Sequence, residues 1–286
     1  MIRILILTGF TFLFMHLHAT GNISKYINMK YSYISFSAIF ILGLLTLVQF
    51  YIYAKGDDDG HHHHDGESCA LPDCGHDHKK PSRLKSIFIS IVLIFPIISG
   101  LFFPIASLDA QTVKTKGFHF KGVENKDDYG EHQFLKPDRS VFYGAEGYQS
   151  IMKKESKSFT DQKNIVLNDE NYLKGMESIY YEPGLFLGKN IKFKGFTYND
   201  EESKTKSNQL FLLRFGIIHC IADSGVFGMM VEFPKGTKFP DDKWIQINGE
   251  IETMYYQPFK SEIPYVKVKS WKTIEKPKEE YVYRKN

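Results

Sequence analysis

An uncharged apolar stretch, residues 31–54, most constrains what this chain can fold into. It is long enough to cross a bilayer as a helix, which takes about 20 residues. Tyrosines mark both of its ends, as in the aromatic belts of membrane helices: Tyr31, Tyr33, Tyr51 and Tyr53. The stretch therefore predicts a transmembrane helix.

Two further apolar stretches, residues 2–19 and 84–107, predict two more spans. The first is expected to be either a transmembrane helix or a cleaved signal peptide. We favour the helix, because no clean small-residue cleavage site follows it. Its His16 and His18 are expected at the membrane interface rather than as ligands. In the third span, Pro96 is tolerated because neighbouring helices can satisfy the backbone groups that it frees. Residues 1–107 are therefore predicted to form a membrane region.

The distribution of positive charge predicts the orientation of these spans, since Lys and Arg favour the cytoplasmic side. Between the first two spans the chain carries only Lys25 and Lys30. More basic residues lie near the membrane ends of the segment between the second and third spans: Lys55, Lys79, Lys80, Arg83 and Lys85. We therefore expect residues 55–83 in the cytosol. The chain after the third span is expected outside the cytoplasmic membrane, whether or not the first segment is cleaved.

The cytosolic segment is rich in side chains that bind borderline metals. Imidazole and thiolate are natural ligands of Zn²⁺ and similar divalent ions. The candidate metal ligands are His61, His62, His63, His64, Asp65, Cys69, Cys74, His76 and His78. Glycines and a proline among them indicate a flexible, multi-site metal buffer or sensor, and such a loop cannot preorganise a catalytic site. The alternative is a solvated polar loop whose histidines bind nothing.

Residues 108–286 have the lysine-rich, polar composition of a soluble domain. The net charge of +3 averages two unlike halves and does not indicate a nucleic-acid partner. With three cysteines, of which only Cys220 lies in this half, a disulfide framework is excluded. We expect a connector at 108–165, in which residues 112–119 resemble a short strand, followed by an extracytoplasmic domain at 166–286.

The extracytoplasmic domain is predicted to be mainly β, with one helix before the strands. The helix, residues 168–181, is expected to be capped by Asn168 or Asp169, and Tyr172, Met176 and Ile179 share one of its faces. Apolar patterning predicts strands at residues 189–198, 209–220, 227–233, 244–256 and 263–274. Together these elements predict an OB-like barrel of five strands.

Two features refine the predicted barrel. Gly195 and Gly249 would let its strands bend tightly. Although OB barrels often bind oligonucleotides, the sequence shows no stacking platform interleaved with basic residues, so nucleic acid is not expected as a partner.

His219, Cys220 and Asp223 form a chemical cluster in this domain. Adjacent strand residues point to opposite faces, so His219 and Cys220 could bind one ion only if a bulge or a strand end turned them. The alternatives are a structural turn with a buried Cys220, a second metal or partner site, and a redox thiol. Arg214, in an apolar strand, is expected to pair with a carboxylate, with Asp223 as the candidate.

The layout resembles the YcgQ-like family of bacterial permease-complex subunits. The resemblance rests on the His-rich loop before the last span and on three motifs: Gly188-Lys189-x-Ile-x-x-x-Gly195-Phe196-x-Tyr198, Arg214-Phe215 and Cys220-x-Ala222-Asp223. It implies a partner, a multi-span permease of the YcgR-like family, and a link to zinc homeostasis. Two adjacent cysteines are usual in the family. Here His219 stands in the place of the first, which keeps a metal ligand but weakens a dithiol role.

These observations together predict an accessory subunit of a membrane permease complex that handles divalent metal, and not an enzyme. No ATP-binding motif is present in the sequence, and the spans lack the paired intramembrane charges of a self-sufficient transporter. The alternative is a membrane-anchored extracytoplasmic binding or envelope protein without a transport role. An enzyme centred on the His219 cluster is a third hypothesis.

Overall fold

The computed structural model describes residues 1–55, 83–105, 107–116, 150, 153–200, 208–257 and 260–284. The chain forms two compact units. The membrane unit comprises Met1–Ser24 and Met29–Ala106, and the β unit comprises Lys25–Asn28 and Ser107–Asn286. The β unit therefore includes a short segment that lies, in sequence, between the first two apolar helices.

Within the described residues, the membrane unit contains three apolar helices: α1 (Ile2–Ala19), α2 (Ser32–Lys55) and α3 (Arg83–Phe102). Each is long and apolar enough to cross a membrane, which agrees with the three predicted spans. Helix α3 ends before its predicted end at Ser107. The reason is Pro104, since a proline has no N–H to donate and disfavours helical backbone in the residue before it.

Helix α1 packs against both α2 and α3. Its contact with α3 depends on two glycines. A Cβ added to Gly9 would lie 2.9 Å from Ile97 Cδ1, and one added to Gly100 would lie 2.8 Å from Leu13 Cδ1. Each glycine thus accommodates a large side chain of the other helix, which allows the close approach typical of small residues in membrane helices.

The two histidines near the end of α1 are both half-buried. His18 Nε2 lies 2.9 Å from the Ser35 hydroxyl of α2, and its ring meets Phe36 edge-on. The His16 ring stacks on Phe12 within α1. His18 therefore takes part in helix packing, and the interfacial position of both histidines stays a prediction.

In the part of the β unit that the structure describes, seven strands form one sheet. They are β1 (Asn164–Val166), β2 (Asn190–Tyr198), β3 (Gln209–Ile217), β4 (Gly225–Glu232), β5 (Trp244–Tyr256), β6 (Ser261–Thr273) and β7 (Val282–Tyr283). Their order is β1-β2-β5-β6-β4-β3-β7, and β2 also pairs with β3. Strands β2 to β6 correspond to the five predicted strands, whereas β1 and β7 were not predicted because each is very short.

The additional pairing of β2 with β3 joins β2, β5, β6, β4 and β3 in a closed cycle of neighbours. Two glycines lie where strands approach closely. A Cβ on Gly195 would lie 2.6 Å from the carbonyl oxygen of Leu213, and one on Gly249, at a register shift between β5 and β6, would lie 2.4 Å from that of Lys267. These contacts explain why glycine is needed there, while the OB-like barrel itself stays a prediction.

Strand β3 lies between two hydrophobic clusters, and all of its residues are buried. Leu210 and Leu212 point into one cluster, whereas Phe211, Leu213 and Phe215 point into the other. The first cluster is covered by helix α6 (Tyr172–Tyr181), and the second includes Ala110 and Val113 of helix α4 (Ala110–Lys116). A helical segment at 153–160, α5, lies between these helices in sequence.

Two local predictions were wrong. Residues 110–116 form helix α4 rather than the expected strand, since Val113 packs into the second cluster while its neighbours remain more exposed. Helix α6 begins at Tyr172 after Asn171, rather than at an Asn168 or Asp169 cap. Asn168 instead accepts the backbone N–H groups of Glu170 and Asn171 in the preceding turn. The predicted buried face of Tyr172, Met176 and Ile179 is confirmed.

Candidate functional site

The predicted metal-binding loop lies outside the described residues. This applies to all nine candidate ligands: His61, His62, His63, His64, Asp65, Cys69, Cys74, His76 and His78. Zinc binding by this loop stays a prediction.

The second predicted site, His219, Cys220 and Asp223, lies in the turn after β3. Asp223 Oδ1 accepts the backbone N–H groups of Cys220 at 3.1 Å and Ile218 at 3.3 Å. Asp223 Oδ2 accepts the N–H of His219 at 2.9 Å and lies 2.8 Å from its imidazole Nδ1. The carboxylate therefore organises the turn, while the His219 side chain stays 59% exposed.

Cys220 is a free thiol that is half-buried rather than buried. It follows the bend at the end of β3 and precedes a short 3-10 turn at Ile221–Asp223. In the described parts of the chain, no group of three or more His, Cys, Asp or Glu residues is placed to hold a metal ion. The turn is thus a structural element, and a metal, partner or redox role for its side chains stays a prediction.

The turn also contacts a segment that the sequence did not single out, Tyr26 to Asn28. Ile27 forms an isolated antiparallel bridge with Cys220. Asn28 is 4% exposed, and its amide donates to the carbonyl of Ile218 at 2.8 Å. No sequence signal marks this contact, because its two sides are far apart in the chain.

Arg214 pairs with Asp169 and not with Asp223, which corrects the predicted partner. The Arg214 side chain is fully buried in β3, with its guanidinium over the rings of Tyr172 and Trp244. It also donates to the backbone carbonyls of Glu279, Glu280 and Tyr281 at 3.1 to 3.3 Å. Asp223 was unavailable to it, because its oxygens are taken up by the turn.

The electrostatics of Asp169 follow from this contact. Partial burial alone would raise the pKa of its carboxyl group. The hydrogen bonds and positive charges of Arg214 and Lys194 outweigh that effect and hold the pKa below its usual value. Asp169 is therefore a structural anion that stays ionised around neutral pH.

A second buried arginine, Arg284, fixes the end of the described chain. Its guanidinium pairs with Glu177 of α6 and with Glu155 of α5, the latter at 2.6 Å. Burial opposes the charge of Arg284, but the two carboxylates outweigh it and raise its pKa. Two buried arginines thus hold residues 279–284 against the sheet and its helices.

Comparisons with known proteins identify the family of this chain. Residues 2–119 match the DUF1980 N-terminal domain, and residues 142–284 match the DUF1980 C-terminal domain. The chain is 52% identical over 285 residues to the UPF0703 protein YcgQ of Bacillus subtilis, covering 99% of each chain. It is 33% identical over 290 residues, again with 99% of each covered, to a Streptococcus mutans protein provisionally named as a two-component membrane permease complex subunit. The chain therefore belongs to the YcgQ-like DUF1980 family.

Proposed function

We propose that this protein is an accessory subunit of a membrane permease complex, with a multi-span permease of the YcgR-like type as its partner. The observation that carries the proposal is the full-length relationship to a protein named as a permease-complex subunit. Three helices able to cross a membrane support it further.

The membrane helices would provide the contact with the permease. Only Leu13 and Leu17 are buried in α1, and no residue is buried in α2. Large apolar side chains such as Phe40 and Leu44 are 65% and 62% exposed. Lipid or an apolar partner helix must cover these surfaces in a membrane.

We propose that the β unit lies outside the cytoplasmic membrane. The charge distribution supports this orientation. The make-up of the β unit supports three crossings but fits either orientation, because Lys25–Asn28 and Ser107–Asn286 belong to the same unit. If all three helices span the bilayer, the first loop and the C-terminal chain must lie on the same side, as the proposed topology requires. The His-rich loop, between the second and third spans, then lies on the opposite, cytosolic side.

The cytosolic loop is proposed to bind Zn²⁺ or a similar divalent ion. Its imidazoles and thiols suit such ions chemically. The loop would buffer or sense the metal beside the permease, rather than catalyse a reaction. We propose no enzymatic role, and expect that replacing Cys220 with alanine leaves function unchanged.

We propose an OB-type barrel for the β unit, serving as a binding module. The cycle β2-β3-β4-β6-β5 supports it, with β4 and β6 parallel and the other neighbours antiparallel. Its aromatic residues Phe196, Phe215 and Trp244 are buried in the second cluster with α4. These three rings are therefore not available to stack on bases, and we propose a protein or small ligand, rather than nucleic acid, as the occupant.

Co-purification tests the proposal. The tagged full chain would be extracted from its own host in mild detergent, and its partners identified by mass spectrometry. A YcgR-like permease in stoichiometric amount is the expected result, with an unrelated tagged three-span protein as the control. Recovery of the chain alone, from membranes that contain the permease, would favour the anchored binding or envelope protein instead.

A further inference from the structure

The segment between the first two apolar helices is hydrogen-bonded into the β unit. The backbone N–H of Asn28 donates to the carbonyl of His219 at 2.9 Å, and the N–H of Ile221 donates to the carbonyl of Tyr26 at 2.8 Å. These bonds flank the antiparallel bridge between Ile27 and Cys220. Residues 26–28 thus add a short strand-like piece to the turn after β3.

Asn28 fixes this piece through its side chain. Its amide donates to the carbonyls of Ile218 at 2.8 Å and of Arg284 at 3.4 Å, and the residue is almost fully buried. A buried amide without such acceptors would destabilise the structure. Asn28 therefore joins the turn after β3 to the C-terminal chain.

Asp223 shapes the surface that receives the segment. Its carboxylate accepts the N–H groups of Ile218, His219 and Cys220 and so orders the turn whose carbonyls, those of Ile218 and His219, accept from Asn28. These hydrogen bonds of the carboxylate lie within the turn itself. Asp223 is a positioning residue for the segment.

The segment that follows α3 contacts the same C-terminal residues. The backbone N–H of Leu108, shortly after α3, donates to the Tyr281 hydroxyl at 3.0 Å. The N–H of Arg284 approaches the carbonyl of Ile217 at 3.4 Å. Residues 281–284 therefore contact both the segment from between α1 and α2 and the segment that follows α3.

We propose that residues 26–28 form a latch, closed by Asn28 and positioned by Asp223, that fastens this stretch of the chain to the turn after β3 and to the C-terminal residues of the β unit. The His219–Asp223 turn thereby has a binding role within the chain. This role does not depend on a permease partner or on metal.

A disulfide test uses the protein's own cysteine. In an antiparallel pair flanked by its hydrogen bonds, Cα atoms lie about 4.5 Å apart, within the range that a disulfide bridges. In the full chain with Cys69→Ser and Cys74→Ser, Ile27→Cys is expected to cross-link to Cys220 on mild oxidation of membranes. Lys25→Cys and Met29→Cys, two residues away on either side, are matched controls and should cross-link at least tenfold more slowly. Equal rates for all three variants would overturn the latch.

A second measurement follows latch opening without an added cysteine. In the same background, maleimide alkylation of Cys220 is expected to become about fivefold faster or more in Asn28→Ala, which loses a buried hydrogen bond. The same is expected in Asp223→Asn, which loses the carboxylate that orders the turn. Asn22→Ala, which removes only an exposed bond to Thr20, should leave the rate unchanged. Unchanged rates in both latch variants would contradict the proposal, as would equal acceleration by the control.

Discussion

Arg214, which is fully buried, pairs with Asp169, whose side chain is 45% exposed. The pair joins β3 to the turn before α6, and the same guanidinium holds the backbone of Glu279 to Tyr281. One buried charge thus fixes three regions that are far apart in sequence. Because water still reaches the Asp169 carboxylate, this pair costs less desolvation free energy than a pair with both charges buried.

Replacing Arg214 by methionine is predicted to destabilise the β unit by about 1–3 kcal/mol, the usual cost of leaving a buried hydrogen-bonding group without its partner. The loss leaves Asp169 without its strongest partner and removes the donor to residues 279–281. Urea unfolding of the detergent-solubilised full chain, followed by tryptophan fluorescence, would measure this change in the free energy of unfolding. Trp244 and Trp271 are the two tryptophans of the chain, and both lie in the β unit. Lys272→Met, on the exposed part of β6, should change the free energy of unfolding by only about 0.5 kcal/mol.

The pKa of Asp169 predicts an acid dependence of stability. In the folded state this pKa lies below the unfolded value of about 3.9. The ionised carboxylate therefore contributes stability above about pH 4, and the contribution is lost as pH falls through the folded pKa. Unfolding free energies measured from pH 7 down to pH 3 should show a steeper acid loss for the wild type than for Asp169→Asn. Parallel curves for the two proteins would rule this contribution out.

Local patterns predicted most of the architecture, and contacts between distant residues account for the rest. The helices α1 and α2 and the strands β2 to β6 follow from apolar runs and alternation. The two-residue strand β7 pairs with the distant strand β3, and Arg214 and Arg284 help to hold its chain in place. Likewise, the cluster of His219, Cys220 and Asp223 could be recognised from the sequence. The role of Asn28 could not, because it depends on a fold that brings residues 26–28 to the turn after β3.

The contact between α1 and α3 predicts unequal tolerance of glycine substitutions. Gly100→Leu would place carbon atoms where Leu13 now lies and should destabilise the membrane unit by about 1–3 kcal/mol, as overpacking usually does. Gly43→Leu is the matched control, because the nearest atom to its added Cβ is 4.0 Å away. The fraction of each variant that stays monodisperse in detergent after heating would be compared. Equal losses would show that Gly100 is not needed for helix packing.

The proposed zinc loop predicts metal binding that depends on its ligands. The purified full chain should bind Zn²⁺ at micromolar concentration in equilibrium dialysis. A variant with the six loop histidines and Cys69 and Cys74 changed to serine should lose this binding, since imidazole and thiolate supply the ligands. His219→Ser is the control for the second site. Unchanged zinc content in the loop variant would leave the solvated-loop alternative as the better account.

The three cysteines of the chain predict how it is oriented in the membrane. Cys69 and Cys74 lie between the second and third spans, and Cys220 lies in the β unit. In intact cells, a membrane-impermeant maleimide should label a variant that retains only Cys220, because this half-buried thiol is proposed to face outward. A variant that retains only Cys69 and Cys74 should be labelled only after the cells are opened.

Both variants would also be labelled in detergent, to check that each thiol is reactive. The opposite pattern would place the β unit in the cytosol, and with it the first loop, because residues 25–28 belong to that unit.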